Sequence, residues 1–373
     1  MQTPKPKLRY LELDALRGIA ALFVVFFHFT IYRPEANYGF GLGVTGVDLF
    51  FIISGFVILL TLEKTKSWQD FAVSRFSRLY PTYWACAAFT ALLIFVWHIW
   101  LGKEKMYIQW LDNQDSAAGL LGQFLANLTM FQHYLRVPDL DGPYWTMLIE
   151  MLFYFYMAGI FVSKKLKQVE NIGTITLVPI IIYSLPFFAN NFALAHKILE
   201  KALPLINYFP LFLAGIIFYK IKFEGPTVRR YLLIVICYLS QLSLFDDGSK
   251  SDIYLAFTPY SYMLTFYFIL FMLYVNNFLG FIVNRVTLFL GEVSFSLYLI
   301  HQYISIAIVL PVLMQEFNLN FWLASAITLG VALILATLVN HFIEKPAMNY
   351  IRRKYKRNSK ATDKAVPQLA YNS

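Results

Sequence analysis

Charged residues are scarce in this chain. They make up 14% of its 373 residues, against about 25% in ordinary soluble domains. With a mean hydropathy of +0.56, that shortage excludes a disordered protein and a soluble two-domain enzyme. Cysteine is nearly absent. Cys86 and Cys237 are the 2 present, and both sit inside apolar runs, where they read as small core residues. That excludes a disulfide scaffold and a thiolate metal cluster. No internal repeat is visible, so the inverted halves common in transporters are not evident. Nor does the first apolar run read as a signal peptide. It opens on Glu12, Asp14 and Arg17, and no small-residue cleavage site follows it.

Apolar residues are what the chain has in excess, at 58%, with 18% aromatic. Ten runs are long enough to cross a bilayer core of about 30 Å as helices. They cover 15–32, 44–62, 80–101, 144–163, 172–190, 203–221, 231–246, 253–275, 287–311 and 322–343, the seventh being short. The pattern predicts an all-α, polytopic transmembrane bundle of about ten spans. Basic residues in short loops set orientation. With the N-terminus inside, 24 of the 31 basic residues fall in inner segments and 7 in outer ones. Both termini are therefore expected in the cytosol, and the net charge of +9 is explained without nucleic acid. Residues 1–343 form the membrane domain in this reading. Residues 344–373 form a basic, partly disordered cytosolic tail within reach of anionic lipid. The longest outer loop, 102–143, holds a semi-apolar piece at 117–132 that predicts a re-entrant or interfacial helix shaping an outward pocket.

Ionisable groups inside membrane spans are costly, so each is a functional candidate. Arg17 and His28 lie eleven residues apart in the first span. Eleven helical steps return to within about 20° of the same face and rise about 16 Å. Arg17 then sits at the inner edge, within i, i+3 reach of Asp14, and His28 sits deep on the same stripe. Arg17 also fits an interfacial anchor, and His28 a plain interhelical hydrogen bond. Imidazole suits proton transfer near neutral pH. Arg75 and Arg78 form a second cluster, just before Pro81 opens the third span. Arginine forks suit phosphate oxygens, although inner-side topology alone would also place basic residues there. Glu150 is a carboxylate inside the fourth span and needs a partner such as His28 or an arginine.

Weaker patterns are set aside. Gly41, Gly43 and Gly46 match GxGxxG, but no strand or βαβ unit surrounds them. Tyr298 and His301 share one helix face and fit an interhelical hydrogen bond as well as a site. Asn127-Leu-Thr129 is a bare glycosylation sequon.

Six blocks, taken together, resemble the integral membrane acyltransferase-three family. They are Leu13-Asp-Ala-Leu-Arg17 with His28; 46–56; Arg75-x-x-Arg78 with Tyr80-Pro81; Tyr144-Trp145 through Glu150; 291–301; and Ile343-Glu344-Lys345-Pro346. They run in family order across nearly the whole chain. The resemblance implies a ten-helix membrane domain that takes cytosolic acyl-CoA, usually acetyl-CoA, as co-substrate. No bound cofactor and no metal are expected. It implies an acceptor outside the cytoplasm, an envelope polysaccharide or lipid-linked sugar, and a bacterial inner membrane as its place. Arg17, Arg75 and Arg78 would hold the acyl-CoA. His28 would act as base or acyl carrier, with Glu150 orienting it as a carboxylate does in a triad. Asp48, Trp145, Tyr298 and His301 would bind substrate. The family's Trp-Ser-Leu-x-x-Glu block has Thr146 in place of the Ser. Some relatives add an outer hydrolase-like domain, so this chain is expected to act alone or with a separate partner. Rival readings are a different acceptor or acyl group, including a small molecule or glucan succinylation, and a transporter or flippase of an acylated or phosphorylated compound.

Overall fold

The computed structural model describes residues 10–31, 33–101, 117–245, 251 and 253–365. Its long helices are α1 (Leu11–Thr30), α2 (Gly46–Leu62), α3 (Trp68–Ile94), α4 (Ala117–Asn127), α5 (Trp145–Val162) and α6 (Val169–Tyr183). Then come α7 (Pro186–Asn191), α8 (Ala193–Ala202), α9 (Phe209–Glu224), α10 (Val228–Ser243) and α11 (Phe257–Val275). The last four are α12 (Arg285–Tyr303), α13 (Leu310–Gln315), α14 (Phe321–Val339) and α15 (Lys345–Ala365). No strand occurs among the described residues.

Seven helical stretches are long and apolar enough to cross a membrane: Leu11–Thr30, Phe40–Leu62, Trp68–Trp97, Gly142–Val162, Phe257–Val275, Arg285–Gln315 and Phe321–Arg357. The other three expected spans also fold as helices, but α6, α9 and α10 have 15, 16 and 16 residues. That is just short of the ~17 a bilayer core asks for. Helix α9 compensates by position. Its residues from Phe209 to Ile221 are buried all round, as expected of a helix that is apolar on every face. Large apolar side chains such as Ile175, Val235, Ile334 and Phe342 turn outward instead. The molecule is a multi-pass membrane protein with a lipid-facing rim and a packed centre.

Two close helix crossings build that centre. A Cβ on Gly291 of α12 would sit 2.0 Å from the Asp14 carbonyl oxygen of α1, and one on Gly18 would sit 2.6 Å from the Gly291 nitrogen. The two glycines let α1 and α12 touch backbone to backbone. Gly55 and Gly215 do the same for α2 and α9, with Cβ distances of 2.0 Å to Phe212 O and 2.1 Å to Ile52 O. Gly46, where a Cβ would sit 2.7 Å from Ala20 O, brings α2 against α1 as well, and α1, α2 and α12 all face the cavities described below.

Several expectations change in detail. Pro81 does not open a helix. Helix α3 starts at Trp68, where Ser67 caps it by accepting from the Asp70 amide at 3.1 Å, and runs through Pro81 to Ile94. Arg75 and Arg78 are consequently helical neighbours one turn apart. The tail is also more ordered than expected. Residues 345–365 form helix α15, held to α3 by Arg352, which donates to Ser77 Oγ at 3.0 Å and to Ser74 O at 3.1 Å. Asn340–Glu344 makes a wide turn between α14 and α15. The expected inner charges Lys5, Lys7 and Arg9, the loop segment 102–116 with Lys103 and Lys105, Lys250 and the end of the tail lie outside the described residues.

The outer piece at 117–132 does contain a helix, α4. It works as a brace. Asn127 donates to Pro138 O at 3.0 Å and accepts from the Leu140 amide at 2.9 Å, and Gln123 donates to Asp139 O at 3.1 Å. These bonds shape the loop ahead of α5. Asn127 is wholly buried, so the sequon there is a structural element.

Candidate active site

All the sequence candidates except Asp48 gather around α1, α3, α5 and α12, but in two chambers. The first, called inner after the expected orientation, is a cavity of about 80 Å³ lined by Arg17, Arg75, Arg78, Glu150, Thr146 and Tyr298, among others. The second, about 270 Å³, is lined by His28, Trp145, Asp139, Tyr254, Tyr298 and Gln302, among others. Val47 and Tyr298 line both. The stripe expected along α1 is therefore real as geometry: Arg17 opens on one chamber and His28 on the other.

Charges in the inner chamber are heavily paired. Arg78 forms an ion pair with Glu344, whose side chain is 1% exposed, and Glu344 also accepts from Ser296 Oγ at 2.7 Å. Glu150 accepts from the Tyr154 hydroxyl at 3.0 Å. Its carboxylate also meets the Ser54 hydroxyl and the charges of Arg17 and Arg75. Arg17 has Asp14 as a further carboxylate. Arg75 is loosely tied. It makes one long bond to Thr61 Oγ1 at 3.5 Å and another to Ser74 Oγ at 3.3 Å, lies over the Tyr154 ring at 5.9 Å, and keeps a buried Nε with no partner. A guanidinium held loosely at a cavity wall is a donor fork open to an anion.

The second chamber has a different partner set from the one expected. Glu150 does not orient His28; it stays in the inner chamber on Tyr154. The partner of His28 is His301, with His301 Nε2 3.0 Å from His28 Nδ1. The hydrogen bonds assign the tautomers. His28 Nδ1 lies 2.8 Å from Val24 O, which can only accept, so Nδ1 carries the hydrogen. His301 Nδ1 lies 3.0 Å from both Leu297 O and Tyr298 O, so it carries the hydrogen there too. His301 Nε2 then presents a lone pair to the His28 N–H. The remaining ring nitrogen of His28, Nε2, is left with its own lone pair, which is what a general base requires.

Tyr298 sits where the chambers meet. Its hydroxyl lies 2.9 Å from Thr146 Oγ1 and donates to Pro143 O at 3.3 Å. Thr146 thus keeps a hydroxyl function at the position where the family block has Ser. Trp145 lines the second chamber and packs against Tyr208 with the rings tilted at 40° and centroids 5.4 Å apart. Asp48 does not reach a chamber. It is buried at the start of α2 with the Tyr260 hydroxyl as its partner, so substrate contact is corrected to a structural bond between α2 and α11.

Sequence reasoning passed over Tyr154, Asp139 and Gln302. Tyr154 was within reach, lying at i+4 from Glu150 on one helix face. Asp139 and Gln302 were not, because a loop and a distant helix bring them to His28.

A family model described as an acyltransferase domain, that of the acyltransferase-three family, matches residues 10–341. The chain belongs to this acyltransferase family. It is 26% identical over 383 aligned residues to "Putative peptidoglycan O-acetyltransferase YrhL" of Bacillus subtilis (strain 168), covering 94% of this chain and 56% of that relative. It is 24% identical over 315 residues to "Putative acetyltransferase ORF330" of Acidianus two-tailed virus, covering 78% of this chain and 82% of the relative. A further match, "Protein 2 in picA locus" of Rhizobium radiobacter, is 40% identical over 86 residues, 21% of this chain and 42% of the relative. The chain spans just over half the length of the Bacillus relative. No solved structure matches.

Proposed function

We propose that the protein moves an acyl group, acetyl in the simplest case, from acyl-CoA to a hydroxyl of an envelope glycan on the far side of a bacterial inner membrane. The observation that carries this reading is the shared wall of Val47 and Tyr298 between an arginine chamber and an imidazole chamber. The donor is an anion with a long uncharged arm. The acceptor is a neutral alcohol that needs a base. Each chamber suits one of them.

The chemistry runs as follows. Arg75, with Arg78 and Arg17, binds the phosphates of acyl-CoA from the cytosolic side and aims the thioester toward Tyr298. An acceptor hydroxyl approaches His28, which takes its proton on Nε2 as the oxygen attacks the thioester carbonyl. The C–O bond forms, the C–S bond breaks, and the CoA thiolate leaves with the proton that His28 returns. The Tyr298 hydroxyl at the junction can turn from Pro143 O to the carbonyl oxygen as charge develops on it, while Thr146 keeps its own bond to Pro143 O. His301 holds the His28 ring in the Nδ1–H form throughout. Glu150 balances the arginines rather than the histidine. The names of the Bacillus and viral relatives, both acetyltransferases in wording, agree with an acetyl donor.

The test is the alkali-labile acyl content of envelope glycans in cells with the native gene, no gene, or His28→Ala at matched protein levels. Loss of one O-acyl group in both the null and His28→Ala cells is expected. Normal acylation with His28→Ala would overturn the assignment.

A further inference from the structure

The second chamber does not end at His28. Pro138, Asp139 and Trp145 line it and also line a third cavity, an outer groove of about 460 Å³. The groove is bordered by the loop that α4 braces and by the segment leading into α9, with Gln132, Arg136, Glu200, Asn207 and Tyr208 among its walls.

The groove and chamber hold three buried amide oxygens without a partner in the protein: Gln132 Oε1, Asn207 Oδ1 and Gln302 Oε1. Their residues are 1%, 4% and 2% exposed. The direction of Gln132 is fixed, because its Nε2 donates to Asp139 Oδ1 at 2.7 Å, leaving Oε1 as the free end. A buried polar atom left unpaired costs free energy, so three acceptors lining two adjoining cavities mark a place where a ligand brings donors. Trp145 and Tyr208, 5.4 Å apart, add an aromatic wall beside them. Charge does not dominate the groove: Arg136 is offset by Glu200 and Asp139. This is a lining for an uncharged, hydroxyl-rich ring, not for a phosphate.

We propose that the groove between Gln132, Asn207 and Trp145 is a carbohydrate subsite that holds an uncharged sugar unit of the acceptor and directs its neighbour's hydroxyl toward His28. The amide oxygens take hydroxyl or acetamido N–H donors, and the aromatic wall takes the C–H face of the ring. This rests on the acyl-transfer reading for its purpose, but binding can be measured without turnover.

The experiment uses the full chain purified in detergent. Binding and thermal stabilisation are measured with tetrasaccharides of N-acetylglucosamine, of glucose and of galacturonate. An uncharged tetrasaccharide binds and raises the apparent Tm, and galacturonate does not. Asn207→Leu removes an unpaired buried oxygen, so it leaves the free protein as stable or more stable, yet weakens sugar binding about tenfold. Gln132→Leu weakens it at least as much, since it also releases Asp139. No binding, binding of galacturonate alone, or affinity indifferent to Asn207→Leu would overturn the subsite. Sugar binding that persists in a chain shown to transfer no acyl group would leave the subsite standing and refute the transferase reading instead.

Discussion

The two chambers on either side of Tyr298 are built on opposite principles. The inner one, about 80 Å³, brings three arginines together and pairs much of their charge with Glu150, Glu344 and Asp14. The outer one, about 270 Å³, carries its chemistry on two imidazoles that bond to each other and to backbone carbonyls. Buried charge is tolerated only where it is paired. On the proposed reading an anion-binding site inside a membrane protein has to be assembled with its own counter-charges, and Arg75, held by two long bonds, is a guanidinium left open to the ligand. A proton-transfer site needs a lone pair in a fixed direction, which hydrogen bonds provide without net charge. The shared helix α1 keeps the two apart by about 16 Å of rise.

That contrast can be broken residue by residue. The largest effect is expected from His28→Ala, which removes the base and lowers kcat by about 10²–10⁴-fold with little change in the KM for acyl-CoA. A KM effect alone would mean that His28 only binds. Arg78→Ala strands Glu344 as a buried unpaired carboxylate. It should cost about 3 kcal/mol of stability, read as a lower Tm in detergent, and Arg78→Ala combined with Glu344→Gln should recover the Tm but not acyl-CoA affinity. Equal Tm values for the single and double variants would show that the pair holds nothing together. Arg75→Gln leaves Glu150 the charge of Arg17 and its bond to Tyr154, so it is expected to raise the KM for acyl-CoA about ten- to a hundredfold with a smaller loss of Tm than Arg78→Ala and kcat close to native. A fall in kcat at unchanged KM would move Arg75 out of donor binding. The smallest of these effects belongs to His301. His301→Ala leaves the His28 ring held by Val24 O alone and should lower kcat about tenfold, and His301→Gln, which offers an oxygen to the same N–H, should restore much of it. If Gln rescues nothing, the His–His bond is not what orients the base.

How far these regions can be read from sequence differs as much as their chemistry does. Positions set by one helix were legible: Arg17 and His28 by their eleven-residue spacing, Arg75 and Arg78 by i, i+3, and the apolar runs by length. The family blocks pointed to the right elements in order. Partnerships across helices were not legible, because nothing in the spacing of Glu150 and His28 tells whether they meet. Glu150 was matched to the wrong ring for that reason, and His301 was taken as a substrate residue although its Nε2 is turned to His28. Asp48 looked functional because a carboxylate in an apolar run is costly, yet it lines neither chamber; a tyrosine hydroxyl from α11 meets it, and its Oδ2 is buried without a partner. The expected tail missed its helix because its polar, basic composition resembles a solvated segment. Only the turn at Asn340–Glu344 and the Arg352 bonds to α3 show that the segment continues α14 and packs.

The central claim is that donor and acceptor enter from opposite sides and meet at Tyr298. The direct measurement is transfer in sealed vesicles reconstituted with the protein in one orientation. Labelled acetyl-CoA is supplied on one face and a sugar acceptor on the other. The account predicts labelled acceptor only when the donor is on the Arg75 and Arg78 face and the acceptor is on the Trp145 face. Transfer with both substrates confined to the same face would contradict it.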